Sequence, residues 1–280
     1  MSRRPRWRTA TGGELHTVRE KLATWPCDAG GVLRHMFALA SIEAAGPGAV
    51  RLATDDEGWA AAVVQPGRLL VPMGDPETLR LAGPPTRRWR LLVGDAAASD
   101  AILDVQGREG LVVHHQRFMA LDHEQLPSLD AAPDPGFRLA VTADIEALAQ
   151  LAVQLHIDDE FGPHPGRSGL RGYADRLRVG VEHSSVWCVG PIGAPEAKLE
   201  RSVSSHRHGV QFSGIVVAPE SRGRGIGKGM VAAAVRAAAH EGPRGWPVAL
   251  HVRADNARAI ATYERCGFRD REEWRLAVRP

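Results

Sequence analysis

The sequence predicts an α/β protein of two domains, and three observations carry that expectation. Short β-branched runs alternate with apolar segments of helical period along 280 residues. Residues 126–136, with three prolines and a glycine, interrupt the alternation as a linker would. At residues 215–229 a β-branched run passes through a basic, glycine-rich turn directly into an Ala-rich helix. The length suits one large or two ordinary domains. The expected division is residues 1–130, a smaller N-terminal α/β domain, and residues 131–280, a second α/β domain.

In the first part, residues 15–24 and 29–45 read as helices. Residues 59–64 and 69–71 read as strands around the Pro66-Gly67 turn. Residues 88–93 read as a strand closed by Gly94, residues 97–106 as a helix and residues 111–119 as a strand. In the second part, residues 136–141 open with a strand. Asp144 is expected to cap a helix to about residue 156, with Ile145, Leu148, Leu151 and Leu155 at helical spacing. A helix over 170–182 follows, then strands over 186–189, 197–203 and 210–217. A helix over 227–241 stops at Gly242, and a strand over 247–254, a helix over 257–266 and a strand over 274–278 complete the chain.

Composition narrows the function classes. An apolar fraction of 44% and a charged fraction of 24% are those of a globular protein. The 35 basic residues are balanced by 33 acidic ones, so the net charge of +2 gives no argument for nucleic acid. The basic start lacks a following apolar core and does not read as a secretory signal. No apolar run approaches about 20 residues, so no membrane span is expected. Cys27, Cys188 and Cys266 are odd in number and far apart, which suggests a reducing, cytoplasmic setting with structural cysteines.

The turn Ser221-Arg-Gly-Arg-Gly-Ile-Gly-Lys228 has the makings of an anion site. The first N–H groups of a helix have no intrahelical partner and carry partial positive charge, which suits a phosphate. Arg222, Arg224 and Lys228 add full charges. A plain solvated turn is the alternative. The dinucleotide fingerprint fails, since its third glycine would fall on Lys228 or Met230, and no P-loop G-K-[ST] is present. Arg222-x-x-Gly225-x-Gly227 does resemble the pyrophosphate loop of the GNAT N-acetyltransferase superfamily. Asn256-x-x-Ala259, Tyr263 and Gly267-Phe268 resemble that family's next conserved segment, in its order and at its usual separation.

That resemblance implies a mixed-sheet GNAT fold for residues 131–280, preceded by a degenerate GNAT-like half that binds no acyl-CoA. The layout looks similar to two-domain actinobacterial-type members with an uncharacterised N-terminal domain. It also implies acetyl-CoA as cofactor, with CoA as product. Ile215, Val216 and Val217 would bind pantetheine, and Arg222, Gly223, Arg224, Gly225, Ile226, Gly227 and Lys228 the pyrophosphate. Asn256 would touch the pantetheine arm, besides being a good N-cap. Tyr263 would protonate the departing thiolate; a core tyrosine one turn on from Ile260, its hydroxyl satisfied locally, is the alternative. The acceptor would be an amine on a small molecule or peptide. A homodimer is common in such folds, although no residue here argues for one.

The family's frequent glutamate base, on the strand before the phosphate loop, is missing from Gly209-Val-Gln-Phe-Ser-Gly214. Glu200 is the nearest candidate; an ion pair with Arg201 or Lys198 is its alternative. His206, His208 and His251 read as a solvated turn and a satisfied strand residue. Asp158-Asp159-Glu160 ends a helix, where acids are electrostatically unfavourable. Asp159 and Glu160 resemble the paired acids of the two-domain group and would draw a cationic amine. Residues 163–166 would form a lid. No metal-ligand spacing and no G-x-S-x-G occurs, and neither Cys188 nor Cys266 has an activating neighbour. A non-catalytic acyl-CoA-binding module is the rival reading.

Overall fold

The computed structural model describes residues 4–24, 34–55, 58–123, 136–243 and 245–279. Cys27, residues 29–33 of an expected helix and residues 126–135 of the expected linker lie outside the described residues. The chain divides into two compact units, Met1–Phe118 with Arg271–Pro280, and Met119–Asp270. Residues 271–280, expected with the second domain, thus count with the first unit.

The first unit runs β1 (Arg6–Thr9), α1 (Glu14–Thr24), α2 (Met36–Ala45), β2 (Val50–Asp55), β3 (Gly58–Val64), β4 (Leu69–Gly74), α3 (Pro76–Ala82), β5 (Leu91–Asp95), α4 (Ala96–Gln106) and most of β6 (Val112–Leu121). The second continues with β7 (Phe137–Leu139), α5 (Ile145–Asp158), α6 (Gly166–Glu182), β8 (Val186–Val189), β9 (Ala197–Ser205), β10 (Gly209–Val217), α7 (Ile226–Glu241), β11 (Val248–Arg253), α8 (Ala257–Arg265) and the start of β12 (Phe268–Val278). Among the described residues the order β-α-α-β-β-β-α-β-α-β therefore occurs twice, from β1 to β6 and from β7 to β12. No helix among the described residues is long and apolar enough to cross a membrane.

Each unit has a mixed sheet. The first has the order β1-β2-β3-β4-β5-β12, and the second β6-β11-β10-β9-β8-β7. β4 and β5 are parallel, through Leu69–Leu91 and Leu70–Leu92. β12 completes the first sheet, with Trp274–Val278 antiparallel to Asp95–Leu91. In the second sheet β10 and β11 are parallel, and β7, β8, β9 and β10 are antiparallel in turn.

Strand alternation sorts the second unit's core onto two faces. Val186 and Cys188 of β8 pack with α5 and α6 through Leu148, Leu151 and Leu177. Trp187 and Val189 pack on the other side, with Phe212, Leu250, Phe268 and the buried face of α7. On α7, Met230, Val231 and Val235 are fully buried, each contributing roughly 1.5–3 kcal/mol. This packing holds the N-terminus of α7 against the ends of β10 and β11.

Three differences from the sequence expectation have physical reasons. Asp144 does not cap α5 with its side chain. Its buried carboxylate instead takes Arg138 in a two-point ion pair and accepts from the N–H groups of Val141 and Gly193, each at 2.8 Å. Helix α6 starts at Gly166, so that residue opens a helix instead of closing a lid. The short β1, β2 and α3 were not anticipated; α3 has only seven residues, although Asp75 caps it and Pro76 occupies its first turn.

Candidate functional site

The site begins with an irregularity in β10. Ser213 pairs with Glu200 and Val216 with Lys198, so β10 carries one residue more than β9 across this stretch. Gly214 sits in the bulge at φ +58°, a left-handed conformation. A Cβ there would lie 2.5 Å from Glu200 Oε1 and 2.8 Å from Lys198 Nζ. Only glycine fits without a shift, because both neighbours are pinned.

They are pinned by charge. Lys198 is fully buried; its ammonium pairs with Glu200 and donates to the Gly214 carbonyl at 2.9 Å. Arg176 of α6 donates to the other carboxylate oxygen at 2.6 Å. Burial pushes the Glu200 carboxyl up, but Lys198 and Arg176 outweigh it and hold it below the ordinary carboxylate range. Burial likewise lowers Lys198. Glu200 is thus brought to an ion cluster behind the bulge, and it is not among the residues that line the cavity below.

At the bulge the two parallel strands part. Their pairing runs from Val210–Val248 to Phe212–Leu250 and stops, although β10 continues to Val217 and β11 to Arg253. Ile215, Val216 and Val217 line one side of the resulting cleft. The chain then turns through Pro219–Ser221 into the glycine-rich loop. Gly225 is the N-cap of α7 at φ +80°, and no side chain caps the helix there. The first N–H groups of α7 consequently have no intrahelical partner and present the positive end of the helix dipole.

The loop's cations have different settings. Arg222 donates from Nε to the Val217 carbonyl at 3.0 Å and ion-pairs with Asp158 at the end of α5. Arg224 turns away to Glu196, at 2.9 Å, and does not line the cavity. Lys228 is exposed on the cavity wall.

The opposite wall is α8. Asn256 caps it, accepting from Ala259 N–H at 3.0 Å, as its sequence position suggests. One turn on from Ala259, Tyr263 is 7% exposed and packs edge-on against Phe268, with ring centroids 6.3 Å apart. Burial, seconded by the Asp159 carboxylate, pushes its hydroxyl well above the ordinary tyrosine range. The group therefore remains a neutral proton donor across physiological pH. Cys266 and Cys188 are buried thiols, each pushed up to about 11 by burial, and neither is a nucleophile in this setting. His251 is pushed down to about 3 by burial and stays neutral.

The acids at the end of α5 form the remaining side. Asp158 pairs with Arg222 and accepts from Gln154 at 2.7 Å. Arg253 binds Asp255 at two points, 2.9 and 2.6 Å, and reaches Glu160 at 3.7 Å. Asp159 lies on the wall near Tyr263. Burial raises its carboxyl to about 6, Arg253 opposes the shift, and Asp158 and Asp255 add to it.

These pieces enclose one cavity of about 720 Å³. Of the residues singled out from sequence, it joins Asp159, Ile215, Val216, Val217, Arg222, Gly223, Gly225, Ile226, Gly227, Lys228, Asn256 and Tyr263; Glu160, Glu200 and Arg224 are not on its wall. Sequence reasoning missed Arg253, Arg258, Thr262 and Arg265. The last three were readable, because once Asn256 is taken as a cap they share one face of α8 at i, i+4 and i+7.

Residues 152–268 match the model of the Acetyltransferase (GNAT) family. No curated protein sequence matches the chain. Solved structures share its fold over nearly the whole chain. A GNAT-family acetyltransferase from Colwellia psychrerythraea superposes with a TM-score of 0.59 at 12% identity, covering 97% of this chain and 98% of that one. A GCN5-related N-acetyltransferase from Sphaerobacter thermophilus gives 0.61 at 15% identity, covering 98% and 95%. A tandem GNAT protein from the clavulanic acid biosynthesis pathway gives 0.55 at 15% identity, covering 97% of each chain.

Proposed function

Because residues 152–268 form a domain of the GNAT acetyltransferase family, we propose that the protein is an acetyl-CoA-dependent N-acetyltransferase, acting by direct transfer to a primary amine of a small molecule or peptide. The observation that carries this reading is the cavity itself. It joins parted parallel strands, an uncapped helix N-terminus and a buried neutral tyrosine.

Acetyl-CoA would supply an activated carbonyl with a thiol leaving group. The N–H groups from Gly225 to Lys228 and the Lys228 ammonium would hold its pyrophosphate. The backbone of Ile215, Val216 and Val217 is released from sheet pairing on its β11 side, so it can bond the pantetheine amides. An N–H of this same edge would polarise the carbonyl. Asn256 would flank the pantetheine arm, and Tyr263 would give its proton to the departing sulfur. Asp159 and Glu160 would attract a cationic acceptor. Glu200, with Lys198, would set the bulge that shapes the strand edge. In this reading the protein acts in the cytoplasm, where free Cys188 and Cys266 stay reduced.

The first unit would bind no acyl-CoA. At the corresponding place in its repeat, Asp75 accepts from Thr78 N–H at 2.7 Å and closes the N-terminus of α3 with a carboxylate. Where the second unit offers open donors, the first offers a negative charge.

The test is thermal denaturation with and without acetyl-CoA, for the wild type and Lys228→Glu. Ligand at about 100 times its dissociation constant should stabilise the wild type by about 2.7 kcal/mol. The variant should lose most of that shift. Free-thiol release across a panel of primary amines then reports transfer. The rival reading, a non-catalytic acyl-CoA-binding module, draws on Glu200 being locked in an ion cluster. Tyr263→Phe separates the two: it should depress thiol release while leaving acetyl-CoA affinity nearly unchanged, and a pure binder shows no amine-dependent release in either form.

A further inference from the structure

We propose that Asp159 is the base that takes the proton from the acceptor's ammonium group, an assignment that rests on the acetyltransferase reading above. The N–H bond breaks with its electron pair left on nitrogen, an O–H bond forms on the Asp159 carboxylate, and that proton passes to solvent. The freed nitrogen pair is the one that attacks the thioester carbonyl.

Elimination among the carboxylates leads to Asp159. Asp158 is held by Arg222 and Gln154. Asp255 is held at two points by Arg253. Glu200 is clamped by Lys198 and Arg176, off the cavity. Glu160 points outward, with its side chain 73% exposed beside Arg253. Asp159 is the one carboxylate lining the cavity that has neither an ion pair nor a hydrogen bond from its side chain among the described residues.

Its surroundings tune it for proton transfer near neutrality. It faces Asp158 on its own segment, Arg253 and Asp255 from the end of β11, Tyr263 from α8, and apolar Leu155 from α5, while Glu160 beside it points outward. Burial dominates and raises the carboxyl to about 6, from an ordinary value of about 3.9. A base of that strength is ionised at pH 7 yet basic enough to accept a proton. Its nearness to Tyr263 puts acceptor-side and leaving-group-side chemistry in one pocket, which an attacking amine and a departing thiolate require.

The test follows thiol release from acetyl-CoA with two probe acceptors: putrescine, which is protonated at neutral pH, and acetohydrazide, a weakly basic nucleophile already neutral there. Acetyl-CoA affinity is measured in parallel by calorimetry. Asp159→Asn should lose about 10²–10⁴-fold in kcat at saturating putrescine, where a carboxylate that only attracts the cation would raise KM instead, and change by less than about threefold in kcat with acetohydrazide. Wild-type kcat with putrescine should fall as the pH drops through about 6, with no matching fall for acetohydrazide. That wild-type contrast stands even if the variant folds poorly. Equal losses with both probes, no loss with either, or identical wild-type pH profiles would overturn the assignment and leave the acetyltransferase reading intact. A wild type that binds acetyl-CoA but transfers to neither probe, nor to any amine of the panel above, would overturn both.

Discussion

Asp159, at the end of α5, and Glu200, on β9, show how two carboxylates of one unit acquire opposite characters. Glu200 is clamped by two cations and is fixed; Asp159 is half-buried, feels Arg253 without forming an ion pair with it, and is free to titrate. Their substitutions should diverge accordingly. Glu200→Ala leaves the Lys198 ammonium buried without its carboxylate, which should destabilise the fold by about 3–5 kcal/mol in urea denaturation. Adding Lys198→Met should recover a large part, a coupling that a double-mutant cycle measures. Asp159→Asn should do the reverse. The folded carboxyl is raised, so its protonated form is favoured and stability is lost as pH rises from about 4 through about 6. The asparagine variant should therefore be more stable than the wild type at pH 7 and equal to it below pH 4. Asp144 carries the opposite sign: Arg138 holds it down to about 2, against burial and with help from two backbone N–H groups, and its contribution is present above about pH 4 and lost as pH falls toward about 2. Asp144→Asn should flatten that acid limb of stability.

Elements were legible where local chemistry decides them. Asn256 followed by Ala259 marks the start of α8, and the Ala-rich run with Met230, Val231 and Val235 marks α7, because caps and helical period act within a few residues. Asn256→Ala should remove about 1 kcal/mol of stability through the lost cap, and acetyl-CoA affinity should fall with it because Asn256 lines the cavity. Asp75→Ala should produce a similar stability loss in α3 with acetyl-CoA binding unchanged, a comparison by calorimetry that separates the two repeats. Other features were hidden because they arise between distant segments. Neither Lys198 nor Glu200 reveals in sequence that Arg176 will reach across from α6, and nothing near Ser213 shows that β10 will gain a residue against β9. Arg224 reads like its neighbour Arg222, yet its side chain turns to Glu196, set by a loop that only the folded sheet positions.

At the scale of the whole chain, the doubled order of ten elements was visible only as α/β alternation, since the first repeat lacks the basic glycine turn that marks the second. The return of residues 271–280 to the first unit could not be read locally, because pairing of Trp274–Val278 with Asp95–Leu91 depends on the course of the entire intervening chain. Deleting residues 271–280 should expose β5 and open the core around Trp89, Leu92 and Ala277. Hydrogen exchange should show protection lost first in β5 and α4. Calorimetry on the full chain should find one acetyl-CoA per chain, since Asp75 occupies the equivalent helix end of the first repeat.

The late strand also sets a schedule for biosynthesis. A ribosome releases residues in order, and domains near the start of a chain ordinarily fold while the rest is being made. Here the partner of residues 91–95 is translated only at residues 274–278. Until then the nascent first unit presents an open β5 edge, the kind of edge that invites mispairing. Closing it across so long a stretch is slow, because non-local pairing must first overcome loop-closure entropy. Yield during expression should therefore respond to temperature and to holdase chaperones more steeply than the finished protein's stability would suggest.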